Sequence, residues 1–244
     1  MHERDKRITF DEGPHIYTID GKSDYTSVTT FIHSLFPKFN ADKIIAGMMK
    51  SRKWSQSKYF GMTPDEIKKQ WNENGKSASS AGTKLHYDIE CFFNGTPNDN
   101  NSIEYMFFRE FWEKYSSSLK PYRAEWMVFD EDVKLAGSID MLFEREDGDL
   151  EIYDWKRCKE IKKFNDFESG ICDCVEHLPN SNFWHYSLQL NIYKEILERK
   201  YGKTVKGLYL VCLHPNKSGY ERIKVPNLPQ EVAALFEKLK KKLD

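Results

Sequence analysis

The segment from residue 134 to residue 156 constrains this chain more than any other. Two apolar runs, residues 134–143 and Leu150–Lys156, read as strands, and Glu146-Asp147-Gly148-Asp149 between them supplies a tight turn. The segment is therefore expected to fold as a β-hairpin. A hairpin brings its arms side by side, so the side chains the arms carry are set against one another by the fold itself. Residues 124–129 alternate in the same way just upstream, which makes a three-strand meander.

Helical periodicity brackets the meander. Ala81, Leu85, Ile89 and Phe92 recur at helical spacing over residues 79–93, and Asn94-Gly95 followed by Thr96-Pro97 closes that helix. An amphipathic helix is expected over residues 102–115. Farther upstream, Thr63-Pro64-Asp65-Glu66 opens a separate helix with an N-cap and a proline at its first position, and residues 42–54 also read as helical. Ser27-Val28-Thr29-Thr30 caps a short helix bearing Phe31, Leu35 and Phe36, which Pro37 ends, and residues 7–21 form a β-hairpin turned at Glu12-Gly13-Pro14. Downstream, Asn182–Lys200 is a helix carrying Leu188, Ile192, Ile196 and Leu197. Residues 205–213 are a buried strand and residues 232–243 a closing helix. This order predicts an α/β (α+β) domain. Its core, residues 79–244, is a mixed central β-sheet flanked by helices. Residues 1–78 supply an N-terminal β-hairpin and a helical annex packed on that core.

Charge narrows the function classes. The 244 residues include 37 Lys and Arg against 38 Asp and Glu, a formal net charge of -1. A protein that coats nucleic acid by charge alone is strongly basic, so any nucleic-acid contact here falls to a local patch. Lys156, Arg157, Lys159, Lys162 and Lys163 form one cluster, which either steers phosphates or is a solvated loop. Trp54, Tyr59 and Trp71 either stack on single-stranded bases or pack internally. The five cysteines are odd in number, and Cys172 and Cys174 stand as C-x-C. They read as reduced thiols, with no iron–sulfur cluster expected. The charged start, His2 to Arg7, is not a signal peptide, and no run approaches the roughly 20 apolar residues of a membrane helix. An aqueous, intracellular protein with no membrane contact is expected.

The chemistry concentrates on the hairpin. Asp140 lies on one arm after Gly137-Ser138-Ile139. Asp154 and Lys156 lie on the other, two residues apart and so on one side, with Trp155 opposite. An Asp-x-Lys on a strand is ordinarily a solvated edge with a weak ion pair. These aspartates are instead set among Ile139, Met141, Ile152, Tyr153 and Trp155, where a charge needs a partner or a metal. If the register pairs Asp140 near Asp154, two carboxylates repel unless something positive lies between them, and a hard divalent cation with oxygen ligands suits that place. Lys156, while charged, is no ligand but can hold an attacking hydroxide or offset a phosphate.

Gly137-Ser138-Ile139-Asp140, a hairpin and then Ile152-Tyr153-Asp154-Trp155-Lys156 resemble the core of the PD-(D/E)XK nuclease superfamily. Gly82-Thr83-Lys84-Leu85-His86 upstream and Gln189-Leu190-Asn191-Ile192-Tyr193 downstream resemble its RecB-like exonuclease branch. The likeness is greatest to exonucleases of the mitochondrial genome maintenance type and their phage and viral relatives. Asp154 stands at the second acidic position in place of Glu, and residues 160–179 fit no motif of the family.

The resemblance implies a restriction-endonuclease-like core and a metal-dependent DNA exonuclease. It would favour single-stranded or free ends and act in replication, recombination or repair. Asp140 and Asp154 would ligate one or two Mg²⁺ or Mn²⁺ ions with the Trp155 backbone carbonyl, and His86 would complete the site or bind a second ion. Lys156 would activate the water, and Gln189 and Tyr193 would support the site. Glu125 and Glu90 are second-tier candidates outside this set. A nicking or structure-specific endonuclease, and a non-cutting nucleic-acid binder, are the alternatives.

Overall fold

The computed structural model describes residues 2–243. Its elements begin with β1 (Ile8–Asp11), β2 (Ile16–Ile19), β3 (Thr26–Ser27), α1 (Val28–His33), α2 (Ala41–Lys50), α3 (Pro64–Phe93) and α4 (Ile103–Tyr115). There follow β4 (Lys120–Asp130), β5 (Leu135–Glu144), β6 (Leu150–Lys156), α5 (Asn182–Lys200), β7 (Val205–Cys212), β8 (Glu221–Lys224) and α6 (Pro229–Leu243). The α/β class, the mixed sheet and the N-terminal antiparallel hairpin agree with the sequence reading.

Two compact units divide the chain: Met1–Pro37 with Leu85–Asp244, and Lys38–Lys84. In the smaller unit Trp71 Nε1 donates to the Tyr59 hydroxyl at 2.8 Å, and Phe60 packs edge-on to Trp54. Of the aromatics offered for base stacking, Tyr59 and Trp71 thus contact each other and Trp54 contacts Phe60.

Two helices expected between residue 63 and residue 93 are one helix of 30 residues. The run Asn72 to Ser80 lacks apolar periodicity, which hid the continuity, but it contains no proline and its single Gly75 is tolerated within a helix. β3 and β8, two and four residues long, were not expected from the sequence.

The sheet of the larger unit explains where chemistry can sit. β4 pairs antiparallel with β5 along nearly its whole length. The other edge of β5 is shared: β3 pairs with Leu135 and Ala136, and β6 with Met141 to Glu144. Between them, Gly137 to Asp140 have no strand neighbour on that edge. β6 continues past this gap and pairs in parallel with β7, whose other edge carries β8. A parallel β6–β7 pair requires a crossover, and α5 is its helix.

The turn of the β5–β6 hairpin forms as its residues dictate. Gly148 adopts φ 83°, and Asp149 N donates to the Asp147 carboxylate at 3.1 Å. Leu142, Leu150 and Ile152 pack with α1, α5 and α6 in one core. Met141, Phe143, Tyr153 and Trp155 pack with α4 and the end of α3 in another. Asp154 and Lys156 follow Ile152 at two-residue steps and so share its side of the sheet.

Candidate metal centre

Strand register builds the site. β5 and β6 pair as Met141 with Tyr153, so one further step sets Asp140 opposite Asp154. β4 and β5 pair Ala124 with Met141 and Trp126 with Ile139, which sets Glu125 opposite Asp140. Three carboxylates from three adjacent strands thus lie in one row. The backbones of β5 and β6 part there, and Asp140 Oδ2 accepts the Trp155 N–H at 2.8 Å.

Glu125 joins the row through a local irregularity. Its φ of 43° is left-handed, a conformation uncommon for a residue with a side chain. Ala124 packs in one core and Trp126 in the other, although strict alternation would place both on one side. The left-handed residue between them marks the break. Glu125 Oε2 accepts from Ser138 Oγ at 2.8 Å, which fixes the carboxylate beside β5.

His86, in the last third of α3, closes the row from one end. Its Nε2 lies 2.8 Å from the Trp155 carbonyl oxygen, which can only accept, so Nε2 carries the proton. Nδ1 then faces Asp140 Oδ2 at 3.5 Å and Glu125 Oε1 at 3.9 Å. Burial alone would lower the His86 pKa, but Asp140 and Glu125 outweigh it and lift it to about 9. In the metal-free site a protonated His86 is therefore the counter-charge of the carboxylates.

Asp154 is buried, with 2% of its surface exposed. Lys156 Nζ stands 2.7 Å from its Oδ2, yet off the axis of an aligned hydrogen bond, so that oxygen keeps a lone-pair direction unused. Burial raises the Asp154 pKa to about 6, with Lys156 opposing and Asp140 reinforcing the shift. Burial also raises Asp140. It would lower Lys156, but Asp154 and Asp140 hold that ammonium above its ordinary range.

α5 supplies the roof. Gln189 Oε1 lies 3.5 Å from Lys156 Nζ, and the Tyr186 ring centroid lies 4.5 Å from the same nitrogen. Tyr193 lies one turn after Gln189 and packs into the gap at Gly137, where an added methyl would sit 2.5 Å from the tyrosine oxygen. Glycine is thus needed at 137 for close approach. Every residue of the expected site set is at this place: Asp140, Asp154, Lys156, His86, Gln189 and Tyr193, with the Trp155 carbonyl facing His86. Tyr186 went unnoticed, although its place three residues before Gln189 put it on the same helix face. Among the described residues Glu90 is not one of the donors grouped at this place.

The donor set suits a hard divalent cation. His86, Glu125 and Asp140 can present one ligand atom each within 4.8 Å of one another, and Asp154 adds a buried oxygen with an unused lone pair. In a second grouping, Cys172, Asp173 and Cys174, the two thiols are half-buried and Asp173 is exposed, and the Lys238 ammonium pairs with Asp173, which opposes a cation.

Among the described residues no helix is long and apolar enough to cross a membrane. A family model for the PD-(D/E)XK nuclease superfamily matches residues 50–244. No curated protein matches the chain. Among solved structures, a candidate exonuclease from Eubacterium rectale is 13% identical over 66% of this chain and 64% of its own, with a TM-score of 0.38. The chain thus spans under two thirds of that protein's length. The protein SSO0001 is 14% identical over 91% of this chain and 78% of its own, with a TM-score of 0.37.

Proposed function

This chain belongs to the PD-(D/E)XK nuclease superfamily and has its restriction-endonuclease-like fold, and from that premise we propose a metal-dependent DNA exonuclease that favours single-stranded ends. Its place would be in DNA replication, recombination or repair. The observation that carries this reading is the row of Glu125, Asp140 and Asp154 with Lys156 held 2.7 Å from Asp154.

Asp140 and Asp154 would hold Mg²⁺ or Mn²⁺, with Glu125, His86 Nδ1 and the Trp155 carbonyl as the further donors. When bound, the cation lowers the pKa of a water and offsets charge building on the phosphate. Lys156 orients the attacking water and brings a fixed positive charge to the scissile phosphate. The Gln189 amide oxygen and the Tyr186 ring face the lysine ammonium and limit where it can point. Tyr193, seated on Gly137, holds α5 against β5 so that Gln189 and Tyr186 keep their height above the site. His86 fixes the Trp155 carbonyl and, once it loses its Nδ1 proton, changes from counter-charge to donor.

The test is incubation of the protein with Mn²⁺ on an end-labelled linear strand and on a covalently closed circle. Loss of label from the linear strand with the circle intact is expected. Cutting of the circle replaces the exonuclease with an endonuclease on the same centre, and no cutting of either DNA overturns the reading.

A further inference from the structure

Residues 157–181 link β6 to α5 without helix or strand, apart from one isolated bridge. The segment is nonetheless pinned. Lys162 N donates to Asn182 Oδ1 at 2.8 Å, and Asn182 Nδ2 returns a bond to the Glu160 carbonyl at 2.8 Å. Trp184 Nε1 donates to the Lys163 carbonyl at 3.0 Å, and Asn165 Nδ2 to the Asn180 carbonyl at 2.7 Å. Asn165 Oδ1 in turn accepts from Phe167 N at 3.0 Å. A backbone held at so many points does not expose its side chains by fraying.

What it exposes is aromatic. Phe164 is 81% and Phe167 94% accessible, with Ile171 close behind at 65%. Large apolar side chains presented together on an ordered segment mark a contact surface. Lys159, Lys162 and Lys163 precede the rings in sequence, with the Lys163 ammonium over the Phe183 ring at 4.9 Å. Glu160 partly offsets Lys162 at 3.7 Å, and Glu168 is engaged by Asn180 Nδ2 at 2.9 Å. Asp166 lies exposed between Phe164 and Phe167, so the surface joins ring faces to charges of both signs rather than forming a dense basic stripe.

Its place gives it a direction. The segment leaves β6 directly after Lys156 and is tied to Asn182, the first residue of α5. Tyr186, whose ring faces Lys156, follows one turn later, about 6 Å along the helix. The exposed rings thus adjoin the helix that roofs the site. In the metal centre the three carboxylates offset Lys156 and protonated His86, so the centre has no excess of positive charge to draw in a polyanion.

We propose that Phe164 and Phe167 are a stacking platform for unpaired bases, which guides a single strand toward the metal centre. Ring stacking needs a free base face, which a duplex withholds, and it accepts any base. The exposed Lys159 and Lys162 meet the backbone between stacked bases. The proposal rests on the nuclease reading for its substrate and adds a basis for single-strand preference.

The test compares wild type with the double variant F164A/F167A in full-length protein. Binding of labelled oligothymidylate and of a blunt duplex of equal length is followed by fluorescence anisotropy in a chelator, so nothing is cut. Hydrolysis of the p-nitrophenyl ester of thymidine 5′-monophosphate with Mn²⁺ is measured separately, because that substrate is too short to reach the platform. The expected result is a loss of about tenfold or more in single-strand affinity, with duplex binding, ester hydrolysis and melting temperature unchanged. F164L/F167L, which keeps apolar bulk without rings, should lose affinity as well. Unchanged single-strand binding, or an equal loss for the duplex, overturns the proposal. So does a wild type that ignores the oligonucleotide but self-associates through these rings in sedimentation, which assigns the surface to a protein. A wild type that shows the single-strand effect but does not hydrolyse the ester overturns the nuclease reading and leaves the platform standing.

Discussion

Asp130 and Asp154 are both buried aspartates of one sheet, and each has a carboxylate oxygen without an aligned hydrogen-bond partner. Their surroundings differ in sign. Asp130 has Arg199 at 3.5 Å and Lys200 at 3.7 Å. The neighbouring Asp132 takes those same two cations, and Glu131 takes Arg4 at 2.6 Å. Acids and permanent cations balance there. Around Asp154 stand Asp140 and Glu125, with Lys156 the permanent cation and His86 charged only when protonated. A buried carboxylate is thus not itself a sign of function; a shortage of counter-charge beside converging oxygens is. The first cluster locks the end of β4 to α5, and the second leaves room for a cation.

The sharpest way to break this contrast is to remove one lysine from each cluster. Lys156→Ala should lower cleavage of an end-labelled single strand by about 10²- to 10⁴-fold, the range for a positioned proton-transfer group, while Lys200→Ala leaves the rate unchanged. Equal losses would erase the distinction.

Stability should separate the clusters in the other direction. Asp130→Ala strands the Asp132 N–H that Asp130 Oδ1 accepts at 2.9 Å, and should cost about 2 kcal/mol in urea unfolding with metal affinity intact. Asp140→Asn can keep the Trp155 N–H bond while removing one of three clustered charges. The metal-free protein should therefore be no less stable than wild type, and its thermal shift with Mn²⁺ should vanish.

Proton linkage gives a third test. Between 3.8 and about 6 the folded state binds more protons at Asp154 than the unfolded chain, so this group lowers metal-free stability as pH rises through that window. His86 contributes stability fully below 6.5 that is lost as pH rises through about 9. Both contributions fall as pH rises. Metal binding must displace these protons, so Mn²⁺ affinity should rise across the same range. A flat affinity from pH 6 to pH 9 would contradict the assignment of His86 as a donor.

The smallest effect concerns backbone strain. Glu125→Gly relieves the left-handed residue and should raise metal-free stability by about 1 kcal/mol, yet cleavage should fall. Stability and activity moving together would mean that Glu125 is structural.

Much of this was legible in the sequence, for reasons the elements make clear. β6 and α5 begin and end where apolar pattern and turn residues place them, and the Asp147-Gly148 turn sets Asp140 level with Asp154. Glu125 was only a second-tier candidate, because its place in the row depends on a left-handed φ that breaks alternation and no residue type announces it. Residues 160–179 fit no motif because side-chain bonds from Asn165, Asn180 and Asn182 shape them instead of a repeating backbone ladder.

The central claim is that the row opened by β5 and β6 is a seat for a divalent cation. Calorimetric titration of the wild type, D140N and D154N with Mn²⁺ tests it without reference to any substrate. The account predicts saturable binding with proton release in the wild type and no binding in either variant. Undiminished binding by D154N would place the metal elsewhere and contradict it.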